Sequence, residues 1–282
     1  MNSYVSVDEI TSASVLDITG AGDDTRLRRL LEAASRKMDR YANRHFYALA
    51  VTRKFDGDGS AELFVPDLIS IDSSGLKTDD NLDRTFETTW ATTDYLLDPT
   101  NADPATAGNA ESNPYTKILV DLDAGAKSEW PVGVQSVQIA GQWGYWRHLK
   151  RATETITADD ATDTTLVVSA NTDIEAGHTL LVETEQIYVL SYSGTTLTVI
   201  RAVNGTTGAA HTAGTVVDIY EYPEPVREAT MIEASRLWKR ADSAFASMMG
   251  FPDGTMQVFR GMDPDSRQLM SAYRRVPLGI AA

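Results

Sequence analysis

Asp24-Thr25-Arg26-Leu27-Arg28-Arg29-Leu30-Leu31-Glu32-Ala33-Ala34-Ser35-Arg36-Lys37-Met38-Asp39-Arg40-Tyr41-Ala42-Asn43-Arg44-His45-Phe46 reads as one amphipathic helix. Leu27, Leu30, Leu31, Ala34, Met38, Tyr41 and His45 recur at spacings of three and four and so share a face. Asp23 or Asp24 can cap the start, and arginines with Lys37 decorate the rest. A second helical pattern runs over 224–249. Pro225 suits its first turn, Met231, Ala234, Trp238, Ala241, Phe245 and Met248 keep the period, and Gly250 stops it. A third helix opens at Asp263-Pro264-Asp265, an N-cap followed by proline at the first helical position, and runs through Arg275. So short a helix is marginal in water by itself, so Leu269, Met270 and Tyr273 must dock, either on the chain's own long helices or on another protein. Arg274 and Arg275 suit its carboxyl-terminal dipole in both cases.

Between the helical ends the period changes to two. Ala48 to Phe55, then Asp56-Gly57-Asp58-Gly59-Ser60, then Ala61 to Pro66 reads as strand, turn and strand, a hairpin. Further strands are expected at 70–76, 85–89, 94–97, 117–122 and 135–143, with a long exposed loop over 99–114. Residues 151–222 differ in texture: Thr, Val, Ala and Gly dominate, and short strands recur between Ser193-Gly194 and Asn204-Gly205 turns. The expected fold is therefore α+β. A helical bundle from both chain ends packs with a small antiparallel β-sheet (1–150 with 223–282), and an inserted all-β module occupies 151–222.

The net charge of −15 is unevenly spread. Residues 47–222 hold ten basic against 26 acidic residues, whereas 1–46 hold seven of each and 223–282 hold eight basic and seven acidic. An acidic body disfavours tight phosphate binding. With no cysteine, disulfides, thiolate metal sites and a cysteine nucleophile are excluded. The amino terminus lacks the look of a signal peptide and no run is long enough for a membrane span, so a soluble, cytosolic chain is expected.

Catalytic patterns are missing. His45, His148, His178 and His211 show no metal-ligand spacing, and there is no phosphate-binding glycine loop, dinucleotide fingerprint or nucleophile elbow. The Asp56 to Asp67 segment resembles a calcium loop in its first oxygens, but Ala61 stands where the bend needs glycine and Asp67 where a bidentate Glu belongs. No metal, no cofactor and no enzymatic activity is expected. Trp143, Tyr145 and Trp146 would serve either as a stacking platform for a sugar or base or as core between sheet and helices, and the scarcity of nearby cations favours core.

The order of several motifs resembles the head-to-tail connector (adaptor, or head completion) proteins of tailed bacteriophages. The motifs are Ala33-Ala34-Ser35-Arg36-Lys37-Met38-Asp39, Asn43-Arg44-His45-Phe46, Thr52 to Gly57, Gly141-Gln142-Trp143-Gly144-Tyr145, Pro225 to Ala229, Arg236 to Arg240, and Met262-Asp263-Pro264 through Tyr273-Arg274-Arg275. The resemblance covers about 20–150 and 223–276. It implies a homo-oligomeric ring of twelve copies under the portal protein, extending the DNA channel, located in the virion neck and assembled in the host cytoplasm. Genomic DNA would pass through without sequence-specific binding, and a tail-side neck or tail-completion protein would dock below; no membrane is involved. Met262, Asp263, Leu269, Met270, Tyr273, Arg274 and Arg275 would dock on the portal, and Arg29, Arg36, Arg40 and Arg44 would meet acidic surface on the neighbouring copy. The 151–222 insertion departs from a minimal adaptor. Its Gly177 to Val182 and Arg201 to His211 segments resemble small β modules embedded in other phage structural proteins, and it is expected to project outward. The alternative from a different class is a carbohydrate-binding or adhesin-type virion module built on the insertion and the Trp143 to Trp146 cluster. A glycosidase would need a paired-carboxylate cleft.

Overall fold

A computed structural model describes residues 1–12, 23–106, 113–240, 248–251, 254–257 and 261–275. In chain order the elements are α1 (Val7–Ser12), α2 (Asp24–Ala42), β1 (Leu49–Gly57), β2 (Glu62–Thr78), β3 (Thr88–Thr89), β4 (Tyr95–Asp98), β5 (Tyr115–Val120), β6 (Gly133–Trp143), β7 (His148–Thr155), β8 (Thr165–Val167), β9 (Thr179–Val182), β10 (Glu185–Ser193), β11 (Thr196–Ile200), β12 (Val216–Glu221), α3 (Glu224–Arg240), β13 (Met248–Phe251), β14 (Gly254–Gln257) and α4 (Pro264–Ser271).

The expected helical bundle with a small sheet is overturned. Among the described residues the fold is mostly β, with two six-stranded antiparallel sheets, while helix makes up only 22% in four short pieces. Strands whose local patterns look short and separate are longer and continuous. Expected strands 61–66 and 70–76 are one bent strand of 17 residues, β2. Its register slips between Phe64 and Leu68 and again between Ile71 and Leu76, and Asp67 and Ser74 adopt positive φ within it. Such irregularities bend a strand and interrupt its period, so one long strand looks like two. The hairpin expectation fails too. β1 and β2 are not neighbours, because β6 lies between them, pairing Thr52 with Ala140 on one side and Leu76 with Ile139 on the other.

Contacts divide the chain into two compact units. One comprises 45–149 with 204–206; the other comprises 1–44, 150–203 and 207–282, which joins the second sheet to the helices. In the 45–149 unit the strand order is β1-β6-β2-β5-β4, with β3 on β2. Leu63, Val65, Leu68, Leu76, Ile118, Val120, Val137 and Ile139 form the core with Trp90, Trp130 and Trp143. Trp90 and Trp130 stack at 4.3 Å and 8°, an arrangement worth ~1 kcal/mol beyond the area it buries. Both glycines of the Gly141 to Tyr145 motif are required by close backbone approach. A Cβ on Gly141 would stand 2.2 Å from the Ser70 carbonyl oxygen, and one on Gly144, at φ 147°, 2.2 Å from that of Tyr47.

In the other unit the strand order is β7-β12-β9-β10-β11-β8, closed over Leu166, Val168, Leu180, Val182, Ile187, Val189, Leu197, Val199, Val217 and Ile219. The helical part buries Leu27, Leu31, Ala34 and Met38 of the expected α2 face and leaves Leu30 and Tyr41 half-buried, and α2 ends at Ala42, short of His45 and Phe46. Leu27, Leu31 and Ala34 pack with Val5, Val7, Ile10, Ala176 and Ala234. Asn43, at φ 54°, ends α2 with its N–H on the Asp39 carbonyl. The short helix α1 had no clear sequence signal. The expected helix over 224–249 is α3 to Arg240; residues 241–247 lie outside the described residues, and Met248 belongs to strand β13, paired with Gln257 of β14. An apolar run as short as Met248-Met249-Gly250-Phe251 satisfies either period, so pattern alone does not separate strand from helix there.

Candidate functional site

The expected portal-docking residues form one structure with α2 and α3. Asp263 caps α4, accepting the Asp265 N–H at 2.9 Å, with Pro264 at the first helical position. Met262 and Met270 are buried within the chain. Leu269 and Tyr273 are half-buried, and Tyr41 of α2 donates its hydroxyl to the Arg267 carbonyl. The Arg275 N–H reaches the Ala42 carbonyl at 2.8 Å, which completes the carboxyl end of α2. Arg274 lies over the Tyr41 ring at 5.9 Å. The face of α4 left exposed is Arg267, Gln268 and Ser271, continued by Arg274.

One carboxylate joins all three helices. Glu233, 2% exposed, accepts Lys37 Nζ from α2 at 2.6 Å, Arg236 Nη1 from the next turn of α3 at 3.2 Å, and the Asp263 N–H at the start of α4 at 2.6 Å. Arg236 also approaches Asp263 at 3.6 Å.

The four arginines expected between subunits divide into two pairs. Arg36 is committed inside the chain, to Asp39 at 2.8 Å, to the Asn2 carbonyl at 3.1 Å and to the face of the Tyr4 ring. Arg44 is half-buried. Arg29 and Arg40 are exposed and hold no ion pair among the described residues. They stand eleven residues apart, about three turns or ~16 Å along one side of α2, with exposed Ala33 between them.

The Arg201 to His211 segment, singled out as a motif, is a latch within the second sheet. Glu185, fully buried, binds Arg201 through Nε at 2.9 Å and Nη2 at 2.6 Å, and accepts the N–H groups of Ala202 and Ala209 at 3.0 Å each. His211 places Nε2 3.0 Å from Glu185 and Nδ1 2.9 Å from Glu183, while its backbone N–H goes to Asp159, which also pairs with Arg201. Arg201 pairs with Glu185 and Asp159, and His211 bridges Glu183 and Glu185, so the network holds the segment shut.

Other constellations pair most of their own charges. A cavity of about 280 Å³ near Ser6, Glu9, Lys150, Asp173, Glu175, His178 and Arg227 pairs its own charges. Arg227 binds Glu9 at 2.7 Å and Lys150 binds Asp173 at 3.2 Å. Ser6 donates to Glu175 rather than to a histidine. His178 accepts the Glu175 N–H through Nδ1, and burial pushes it down to about 4, so it is neutral at pH 7. At the calcium-like turn, Asp56 and Asp58 accept backbone N–H groups of Gln135 and Ser60. Asp79, Asp83 and Glu87 can bring ligand atoms within 4.8 Å of one another, but Asp79 already accepts the Asp83 and Arg84 N–H groups.

The aromatic platform does not form as such. Trp143 is fully buried, with Nε1 on the Val51 carbonyl at 2.8 Å and Phe55 against its ring, which is the core role. Tyr145 and Trp146 are half-buried beside it in sequence. No protein-family model matches this chain, and no curated protein matches it.

Proposed function

We propose that this chain is a non-catalytic head-to-tail adaptor of a tailed bacteriophage, a subunit of a twelve-copy ring beneath the portal that extends the DNA channel and receives a tail-side neck protein. The observation that carries the reading is the junction at Glu233. Three motifs on which the resemblance rests, Arg36-Lys37, the Arg236 turn and Met262-Asp263-Pro264, are remote in sequence yet meet at this one carboxylate. A shared order of motifs gains weight when the motifs also share a site. The two sheets are more β structure than the resemblance implies, and the reading assigns the docking role to the helical ends alone.

Under this reading the portal meets the exposed face of α4, Arg267, Gln268, Ser271 and Arg274, while Met262 and Met270 hold that helix on its own chain. The acidity of 47–222 keeps DNA phosphates from binding a channel through which they must slide. The adhesin alternative is weakened because Trp143 is inside the core.

The test is head-to-tail joining in vitro. Purified heads, portal and tails should join with the full chain, and a chain shortened by removing 262–282 should fold yet fail to join. Normal joining by the shortened chain sinks the docking assignment, and absence of any ring or portal complex with the full chain sinks the reading.

A further inference from the structure

We infer that the loop end of the first sheet, tipped by Leu82, Val132 and Val134, is the surface that receives the exposed arginines of α2 from a second copy of this chain. The inference rests on the adaptor reading and deepens it by naming both sides of a subunit contact.

The loop end is a built display. Leu82, Val132 and Val134 are 50%, 68% and 62% exposed, although aliphatic side chains of this size are ordinarily drawn inside. Leu82 comes from the loop after β2, and Val132 and Val134 from either side of Gly133 at the start of β6. Leu82 Cδ2 lies 2.4 Å from where a Cβ on Gly133 would stand, and Val132 Cγ2 lies 3.0 Å from the same point on Gly59. The backbone holds them out at a cost, since Leu82, Arg84 and Gln135 have φ of 63°, 76° and 55°. Left-handed backbone costs a non-glycine residue about 1 kcal/mol, and strain of this kind collects at working surfaces. Side chains pin it in place. Asp79 takes the Asp83 and Arg84 N–H groups, Asp56 takes that of Gln135, and Arg84 Nη1 binds the Val134 carbonyl at 2.6 Å.

The surroundings are mostly acidic, with Arg84 and Lys54, which lies over the Phe86 ring, as exposed cations beside the carboxylates. Hydrogen bonds from Thr85, Ser60 and Thr88 hold the carboxyls of Asp83, Asp58 and Asp80 below their ordinary value, and Glu87 and Glu129 are exposed. The whole 45–149 unit carries sixteen acidic against seven basic residues. An apolar tip rimmed by carboxylates asks for a partner with a small apolar centre flanked by cations. Arg29, Ala33 and Arg40 on α2 have that form. The two surfaces are different and complementary on one chain, so copies associate head to tail, the arrangement that closes into a ring when the rotation allows.

The experiment is a charge swap on the full chain, read by sedimentation velocity with circular dichroism as the fold control. The variants are Arg29→Glu with Arg40→Glu, and Glu87→Lys with Glu129→Lys; none of these four residues makes a hydrogen bond or ion pair among those described. Wild type should assemble, each double variant alone should lose assembly at least tenfold in midpoint concentration, and an equimolar mixture of the two should recover it. In the mixture each altered helix meets an altered sheet, and each native helix a native sheet. Assembly by either double variant as strong as wild type, or no recovery on mixing, overturns this contact while leaving the adaptor reading intact. A wild-type chain that stays monomeric overturns this contact as well, and the adaptor reading falls with it only if the chain also forms no complex with portal.

Discussion

Lys37 of α2 reaches Glu233 of α3 across 196 residues of sequence, with Nζ 2.6 Å from Oε2. Glu233 is 2% exposed while Lys37 keeps about a third of its side-chain surface in water. The pair is therefore anchored at the carboxylate, which also carries Arg236 and the first N–H before α4. Helices from both ends of the chain are tied by this group in addition to their apolar faces.

Removing that carboxylate should loosen α4 first. Glu233→Ala takes their shared carboxylate from Lys37, Arg236 and the Asp263 N–H and leaves Arg236 only its weaker contacts to Asp263 and Gly261, a loss of ~3 kcal/mol for breaking a buried pair. The expected outcome is a lower denaturant midpoint together with faster amide exchange over 264–271. Exchange unchanged in α4 would mean that its docking depends on Met262 and Met270 alone.

The latch at Glu185 should give the protein an acid limit. Burial by itself raises this carboxyl, but Arg201, the Ala209 and Ala202 N–H groups and His211 outweigh it and hold it at about 2, against an ordinary 4.5. Because the folded value is depressed, the stabilisation is present above pH 4.5 and is lost as the pH falls toward 2, a span of ~3 kcal/mol. Denaturant titrations of wild type and Glu185→Gln should differ most near neutral pH and converge near pH 2. Curves that stay parallel would contradict the latch.

Asp39 should act with the opposite sign. Burial lifts its carboxyl to about 6, against the opposing pull of Arg36 and of the Tyr4 hydroxyl at 2.5 Å. A raised folded value means that the stabilisation is present below 3.8 and is lost as the pH rises through about 6. Asp39→Asn should therefore gain on wild type as the pH climbs through that window, by ~3 kcal/mol in all. A pH-independent difference between the two proteins would show that Arg36 alone governs the site.

Gly141→Ala should separate β6 from β2. The added methyl carbon would stand 2.2 Å from a backbone oxygen, which has no flexible side chain to swing aside. Overpacking of this kind costs ~1–3 kcal/mol, visible as a lower denaturant midpoint and reduced near-ultraviolet signal from Trp143. Unchanged stability would mean that the two strands part without cost.

The sequence was most legible where one element decides its own pattern. Of the α2 period, Leu27, Leu31, Ala34 and Met38 are buried while Leu30 and Tyr41 are half-buried and His45 lies past the helix end, and Asp263-Pro264 marked the start of α4 to the residue. It was least legible where partners are remote. Nothing local says that β6 stands between β1 and β2, because β6 begins 76 residues after β1 ends, and the bulges in β2 disguised one strand as two. The Trp90 to Trp130 stack and the apolar loop tips leave no local pattern for the same reason. Each pairs residues about forty or more positions apart, and neither leaves a period.

What the sequence determined by itself was the charge division between acidic middle and balanced ends, the lack of cysteine, the helical faces and the motif set that the adaptor reading rests on. These follow from residue identity and from the fixed geometry of a helical turn. Only the tertiary structure decided that sheet outweighs helix, that Glu233 gathers three distant motifs, that Arg36 is committed while Arg29 and Arg40 are exposed without an ion pair among the described residues, and that Trp143 is core. Those outcomes depend on which remote strands and side chains meet, and a choice among many possible long-range pairings is made by burial and by the satisfaction of every hydrogen-bonding group at once.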